Sequence, residues 1–270
     1  PEQVGAFLML LRFKEETPEE MAGFVKAAQA SITQLNDAPQ IDLDWSCYAG
    51  KRRQLPWFAL AALALSQSGA KIFIHGIEGH TAGRIYAEQT FASLGLHKEN
   101  GLLEASETLK VSNICYLPLK HISTALSDLI DLKSVLGLRS PAHTIARMLN
   151  PLRAPHVLQG VFHPGFNSVH QKAAALIQQP HLSVFRGEGG EIERRPQKSI
   201  KVMSVHDSNL STEYWPAIID DPHQTTDENM DLGRLKSVWQ GDEASSYATA
   251  AIIDTLAIAL KLMGKAKPIA

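Results

Sequence analysis

Apolar positions in this chain change their rhythm once. Two segments at the start have helical spacing. "EQVGAFLMLLRFK" is apolar on most sides, and "TPEEMAGFVKAAQASITQ" opens with Thr17 as an N-cap, Pro18 at the first helical position and two glutamates in the first turn. After a loop with Asn36, Asp37 and Pro39, short apolar runs alternate with longer amphipathic ones. "IDLDW" (41–45), "AKIFIH" (70–75), "SNICYLP" (112–118), "HVLQGVF" (156–162), "HLSVFR" (181–186) and "SIKVMSV" (199–205) read as strands. Helices are expected over 57–68, 82–94, 121–133, 142–149 and 166–178. The alternation predicts an α/β fold with a mostly parallel central sheet flanked by helices. Residues 206–238 read as irregular, and "DEASSYATAAIIDTLAIALKLMGK" as a long apolar closing helix.

With 270 residues, 44% of them hydrophobic, the chain can bury a substantial core. Its formal net charge of −2 gives no global basic field, so any polyanion site must be a local patch. The two cysteines, Cys47 and Cys115, form no CxxC pair and show no zinc spacing, which fits a reducing, cytoplasmic compartment. The longest apolar run, Trp57 to Leu65, is too short to span a bilayer, and no membrane partner is expected. The abrupt start at Pro1, directly before a helix, leads us to expect that an N-terminal piece precedes this sequence.

In parallel sheets, ligands bind beyond the carboxyl ends of the strands. The loops there read "SCYAGKRRQ", "GIEGHTAGR" and "GEGGEIERRP". The first holds one glycine, Gly50, with Tyr48 and the triplet Lys51-Arg52-Arg53 around it. Arginine forks suit the phosphates of a polymer backbone, and Tyr48 and Trp57 are placed to stack a base; the plainer reading is a solvated loop. Arg186, Arg194, Arg195, Lys198 and Lys201 form a second basic set, with Glu188, Glu191 and Glu193 interleaved as pairing partners. Arg139, Arg147 and Arg153 form a third, in which Arg147 shares a helix face with His143. His75, before Gly76, reads as a hydrogen-bonded strand-end residue rather than an acid-base group. His80, His163 and His170 show no metal spacing. Cys47 stands beside cations that would lower its pKa, but without a partnered histidine or acid it is not a nucleophile. No catalytic residue is assigned.

Over 5–205 the sequence resembles the anthranilate phosphoribosyltransferase family, which shares its architecture with the pyrimidine nucleoside phosphorylases. "GAFLMLLRFKEETPEEMAGF" resembles the family's helical-domain segment, "GAKIFIHG" followed by "FASLGL" its lysine-His-Gly strand and next helix, and "LGLRSPAHTIARMLNP" its arginine-Thr…Asn-Pro segment. "VLQGVFHPGFNSVHQKAAALI…LSVFRGEGGEIE" is similar to the stretch that ends in Gly-Leu-Asp-Glu. The resemblance implies a small all-helical N-terminal domain over 1–36, with 119–134 packing against it. It implies a large α/β domain over 40–270 with a vestigial phosphoribosyl pyrophosphate cleft, and a homodimer formed through the helical domain.

The substrate motifs depart from the family pattern. Its Gly-Thr-Gly-Gly-Asp loop matches Ser46-Cys47-Tyr48-Ala49-Gly50, and its Asn-x-Ser-Thr turn matches Pro56-Trp57-Phe58-Ala59. The lysine and asparagine around His75-Gly76 become Ile74 and Ile77, and the magnesium-holding Asp-Glu pair becomes Ile192-Glu193. Arg139 and Asn150-Pro151 match. The pattern is similar to a divergent branch that keeps the fold and dimer, lacks the transferase reaction and binds nucleic acid. That resemblance implies contacts by Tyr48, Gly50, Lys51, Arg52, Arg53, His75, Arg139, Arg147, Arg194 and Arg195, with no cofactor. The alternatives are an active transferase, with magnesium at Glu193, and a scaffold whose cleft is filled by Tyr48, Trp57 and Phe58.

Overall fold

A computed structural model describes residues 2–77, 79, 81–221, 226–227 and 229–265; His80 lies outside the described residues. The chain opens with α1 (Glu2–Lys14) and α2 (Pro18–Ala30), then enters β1 (Leu43–Cys47), α3 (Phe58–Gln67), β2 (Ile72–Gly76), α4 (Ala87–Ser93), α5 (Leu102–Val111) and β3 (Ile114–Pro118). It continues through α6 (Thr124–Asp131), α7 (Lys133–Leu136), α8 (Ala142–Arg147), β4 (His156–Val161), α9 (Phe166–Leu176) and β5 (His181–Arg186). A hairpin of β6 (Ile200–His206) and β7 (Asn209–Trp215) precedes α10 (Gly233–Gln240) and α11 (Ser246–Leu262). Thr17 caps α2 in a capping box with Glu20, as its sequence predicts.

The seven strands form one sheet in the order β3-β2-β1-β4-β5-β6-β7. β1 to β5 run parallel, and β6 and β7 antiparallel. Every residue of β1, β2 and β3 is buried, as expected where helices cover both faces of a parallel sheet. Chain direction across the sheet reverses between β1 and β4, so the loops leaving these strands diverge and open a crevice there.

Four elements differ from the expectation. Residues 209–215 form an edge strand; "NLSTEYW" is mostly exposed, so burial leaves little apolar signal in it. The turn before it has φ of +46° at Asp207 and +68° at Ser208, a type I′ geometry built without glycine. α10 likewise falls in the stretch read as irregular, and α5 occupies a stretch assigned no helix. The helix expected over 82–94 begins only at Ala87, because Ile85 pairs with Lys51 as a β-bridge. Among the described residues, no helix is long and apolar enough to cross a membrane.

Behind the sheet, α9 packs on β5 and β6 and carries His170 into the core. His170 Nδ1 lies 2.6 Å from Gln159 Oε1, and burial pushes its pKa down to about 3. A histidine with a depressed pKa lends stability above its unfolded-state pKa and loses it as the pH falls, since only the unfolded chain takes up the proton. His170→Gln should therefore remove up to about 1.4 kcal/mol per pH unit of acid destabilisation between roughly pH 6.5 and pH 4, measured by urea unfolding across that range.

Candidate functional site

The loop after β1 is held by the loop after β5. Ala49 N–H and Gly50 N–H both donate to Glu191 Oε1, at 2.6 and 2.5 Å. These amides form the kind of anion-binding concavity that takes a phosphate, and here a carboxylate of the same chain sits in it. The carbonyls of the same two residues face cations. Arg84 Nη1 donates to Ala49 O at 3.0 Å and to Gly50 O at 2.9 Å, and Arg139 Nη2 donates to Ala49 O at 3.2 Å. Burial lowers the Arg139 pKa, and the neighbouring Arg84 guanidinium adds to the effect.

Glycine makes this approach possible. Gly50 has φ of +70°, and a Cβ there would lie 2.9 Å from the Tyr86 ring. A Cβ on Gly187 would fall 1.6 Å from the Glu191 carbonyl oxygen, so the turn that delivers Glu191 tolerates no side chain at that position. Gly-Glu-Gly-Gly-Glu was thus the sequence signal for this contact, which reading the glutamates as partners of nearby arginines missed.

Lys51 lies beside this plug at 1% exposure, with its Nζ 2.5 Å from Oε1 of Glu193, which is 0% exposed. Glu193 Oε2 accepts from Phe58 N–H at 2.9 Å, at the start of α3. Burial pushes the Glu193 carboxyl up, while Lys51 and the Phe58 amide pull it down. The magnesium expectation is tested by the same geometry. Both Glu193 oxygens are engaged and Ile192 brings no donor, so these residues do not fit a magnesium ion.

Several expected contact residues are enclosed. Tyr48 is fully buried; its hydroxyl is 2.7 Å from His75 Nδ1, and His75 Nε2 is 3.2 Å from Asp44 Oδ1. Tyr48 therefore cannot stack a base, whereas His75 is the hydrogen-bonded strand-end residue expected. Trp57 is buried as well. Arg147 is buried on α8, donates to the His143 carbonyl at 3.1 Å and stands 5.9 Å from the Tyr48 ring centroid. Arg194 is buried against Asp254, 2.9 Å away, and donates to the Pro216 carbonyl. Arg153 turns to Gln29 Oε1 at 2.9 Å. Tyr48, Lys51, His75, Arg147 and Arg194 thus leave the ligand-contact set, because each is buried inside the protein. Cys47 is a buried free thiol, pushed well above its usual pKa by burial and by Glu191.

The remaining cations converge. A cleft of about 490 Å³ opens beyond the carboxyl ends of β1, β4 and β5, with Lys51 in its lining. Arg52 and Arg53 enter from the first loop, Arg84 from the second, and Arg186, Arg195 and Lys198 from the third. Among the described residues one carboxylate, Glu188, faces them, 3.5 Å from Arg195. Among the described residues, Arg52, Arg53, Arg186 and Lys198 form no ion pair. Arg84 is the cleft cation that sequence reasoning missed.

Removing one member of the buried pair leaves the other charge unmatched. Lys51→Met should destabilise the fold by roughly 3–5 kcal/mol, and the double variant Lys51→Met/Glu193→Gln should recover most of that loss, both read from urea midpoints.

A family model described as "Glycosyl transferase family, helical bundle domain" matches residues 1–32. Anthranilate phosphoribosyltransferase of Oleidesulfovibrio alaskensis is 29% identical over 209 residues, covering 77% of this chain and 62% of that protein. That of Nitratidesulfovibrio vulgaris is 27% identical over 203 residues, covering 74% and 60%. The chain thus spans less than two thirds of the length of these curated relatives. Among solved structures, anthranilate phosphoribosyltransferase from Saccharomyces cerevisiae in complex with PRPP and Mg matches with a TM-score of 0.80 at 18% identity, over 98% of this chain and 76% of that one. The Thermus thermophilus enzyme matches with a TM-score of 0.77 at 18% identity, over 97% and 80%. Both have the architecture seen here, a small N-terminal helical domain and an α/β domain with a mostly parallel sheet. In sequence the chain is similar to anthranilate phosphoribosyltransferases, and it shares their fold.

Proposed function

We propose that this chain binds the phosphate backbone of a nucleic acid in the basic cleft, without phosphoribosyl transfer. One observation carries the reading: six cations from three loops converge on one open cleft that, among the described residues, holds a single carboxylate. Arg52, Arg53, Arg186 and Lys198 have their charges available there, and guanidinium forks match phosphate oxygens in pairs. The position suited to a compact anion is taken by Glu191, and that of a metal-bridging carboxylate is tied to Lys51. With Tyr48 enclosed, contacts would be electrostatic and largely blind to sequence.

The same reading includes a homodimer through α1. Val4, Phe7, Leu10 and Phe13 lie exposed on that helix, Phe13 at 89%. An apolar stripe of this kind on a surface helix is a natural isologous contact, and a second copy would pair two basic clefts.

Phosphoribosyl transfer is the competing reading, favoured by the names of the relatives above. Under our reading, calorimetry with phosphoribosyl pyrophosphate and magnesium gives no saturable heat. A saturable, magnesium-dependent heat in the unaltered protein would decide for the transferase.

Fluorescence anisotropy with a labelled oligonucleotide should show log affinity falling with log salt, by roughly 0.7 to 0.9 per phosphate neutralised. Arg52→Glu/Arg53→Glu should weaken binding and flatten the slope by about 2; binding that ignores both salt and these substitutions overturns the reading. Light scattering should give a dimer mass for the unaltered protein and a monomer mass for Leu10→Asp/Phe13→Asp.

A further inference from the structure

At the amino-terminal ends of β4 and β5, away from the basic cleft, strand register brings three imidazoles into a row. His156 pairs with His181, and His181 pairs with His206 on the antiparallel β6. Directly paired residues project from the same face of a sheet, so the rings stack. Their centroids lie 4.9 Å apart for His156 and His181, and 4.4 Å apart for His181 and His206.

The β6–β7 turn adds a carboxylate. Asp207 follows His206 with φ of +46°, which turns its side chain back towards the rings. Its oxygens lie 4.0 Å from His181 Nε2 and 3.8 Å from His206 Nε2. One ligand atom from each of His181, His206 and Asp207 falls within 4.8 Å of the other two. His181 Nδ1 is buried without a partner, which leaves Nε2 as the nitrogen that faces Asp207. His156 is anchored differently: its Nδ1 lies 2.9 Å from the Asp42 carbonyl oxygen, and its role is to back the His181 ring.

We propose that His181, His206 and Asp207 form a binding site for a borderline divalent transition-metal ion, of which Zn²⁺ is the representative. Two imidazoles and one carboxylate suit such ions, whereas magnesium and calcium favour all-oxygen sets. Metal–ligand bonds of about 2.0 to 2.2 Å put tetrahedral donors roughly 3.4 Å apart, so the three groups must draw in by an ångström or so. The side chains of His206 and Asp207 are 71% and 69% exposed and free to swing inward, while His181 supplies the fixed side. Solvent completes the coordination on the open face.

The test is calorimetric titration of the untagged, chelator-treated protein with Zn²⁺, together with the visible spectrum of the Co²⁺-substituted protein. We expect one ion per chain and a tetrahedral Co²⁺ absorption. Asp207→Asn and His206→Ala should each weaken binding by about tenfold or more and lose the absorption, while the exposed-site control His97→Ala binds as the unaltered protein does. Both altered positions lie on the surface turn, and unchanged thermal melting verifies that the fold is intact. Absence of saturable Zn²⁺ binding in the unaltered protein, or binding that survives both substitutions, overturns the proposal.

Discussion

The site depends on one contact, the Glu191 carboxylate seated on the amides of Ala49 and Gly50. Backbone N–H groups that converge at the end of a strand must find an acceptor, because leaving them buried and unpaired is costly. In this chain the acceptor is covalently its own, delivered by the glycine turn at 187–190. The loop after β1 is thereby joined to the loop after β5 across the crevice where the sheet changes direction.

The neighbouring charges follow from that join. Once the two loops are in contact, Lys51 and Glu193 are enclosed together, and each is tolerable only because of the other. Phe58 N–H adds a third bond, so the start of α3 is tied to the same carboxylate. Arg84 and Arg139 bind the outward carbonyls of Ala49 and Gly50. The peptide groups of this turn are therefore engaged on both sides, and the binding capacity that remains lies in side chains around the rim. A cleft of this kind favours an extended anion that meets several separated cations over a compact one that needs a cradle of amides.

At the other end of the strands, the parallel register of β4 with β5 and the antiparallel register of β5 with β6 set a histidine row, closed by the hairpin turn at Asp207. Strand pairing is what converts sequence positions 25 residues apart into stacked neighbours.

Much of the architecture was legible in the sequence. Alternating apolar runs marked six of the seven strands, since strands buried on both faces are written in continuous apolar letters, and Thr17-Pro18-Glu19-Glu20 announced α2. The loops that carry the cleft were identified by their place after β1, β2 and β5, and Arg52, Arg53, Arg186, Arg195 and Lys198 do line it. β7 was not legible, because an exposed edge strand lacks an apolar pattern. Nor could the sequence tell Arg52 from Lys51, adjacent letters of one basic triplet. Only the approach of the 187–191 turn decides that Lys51 is sealed against Glu193 while Arg52 stays in solvent. Local pattern determines which segments become strands and helices; which charge is buried depends on partners more than a hundred residues away, and that only the folded chain brings together.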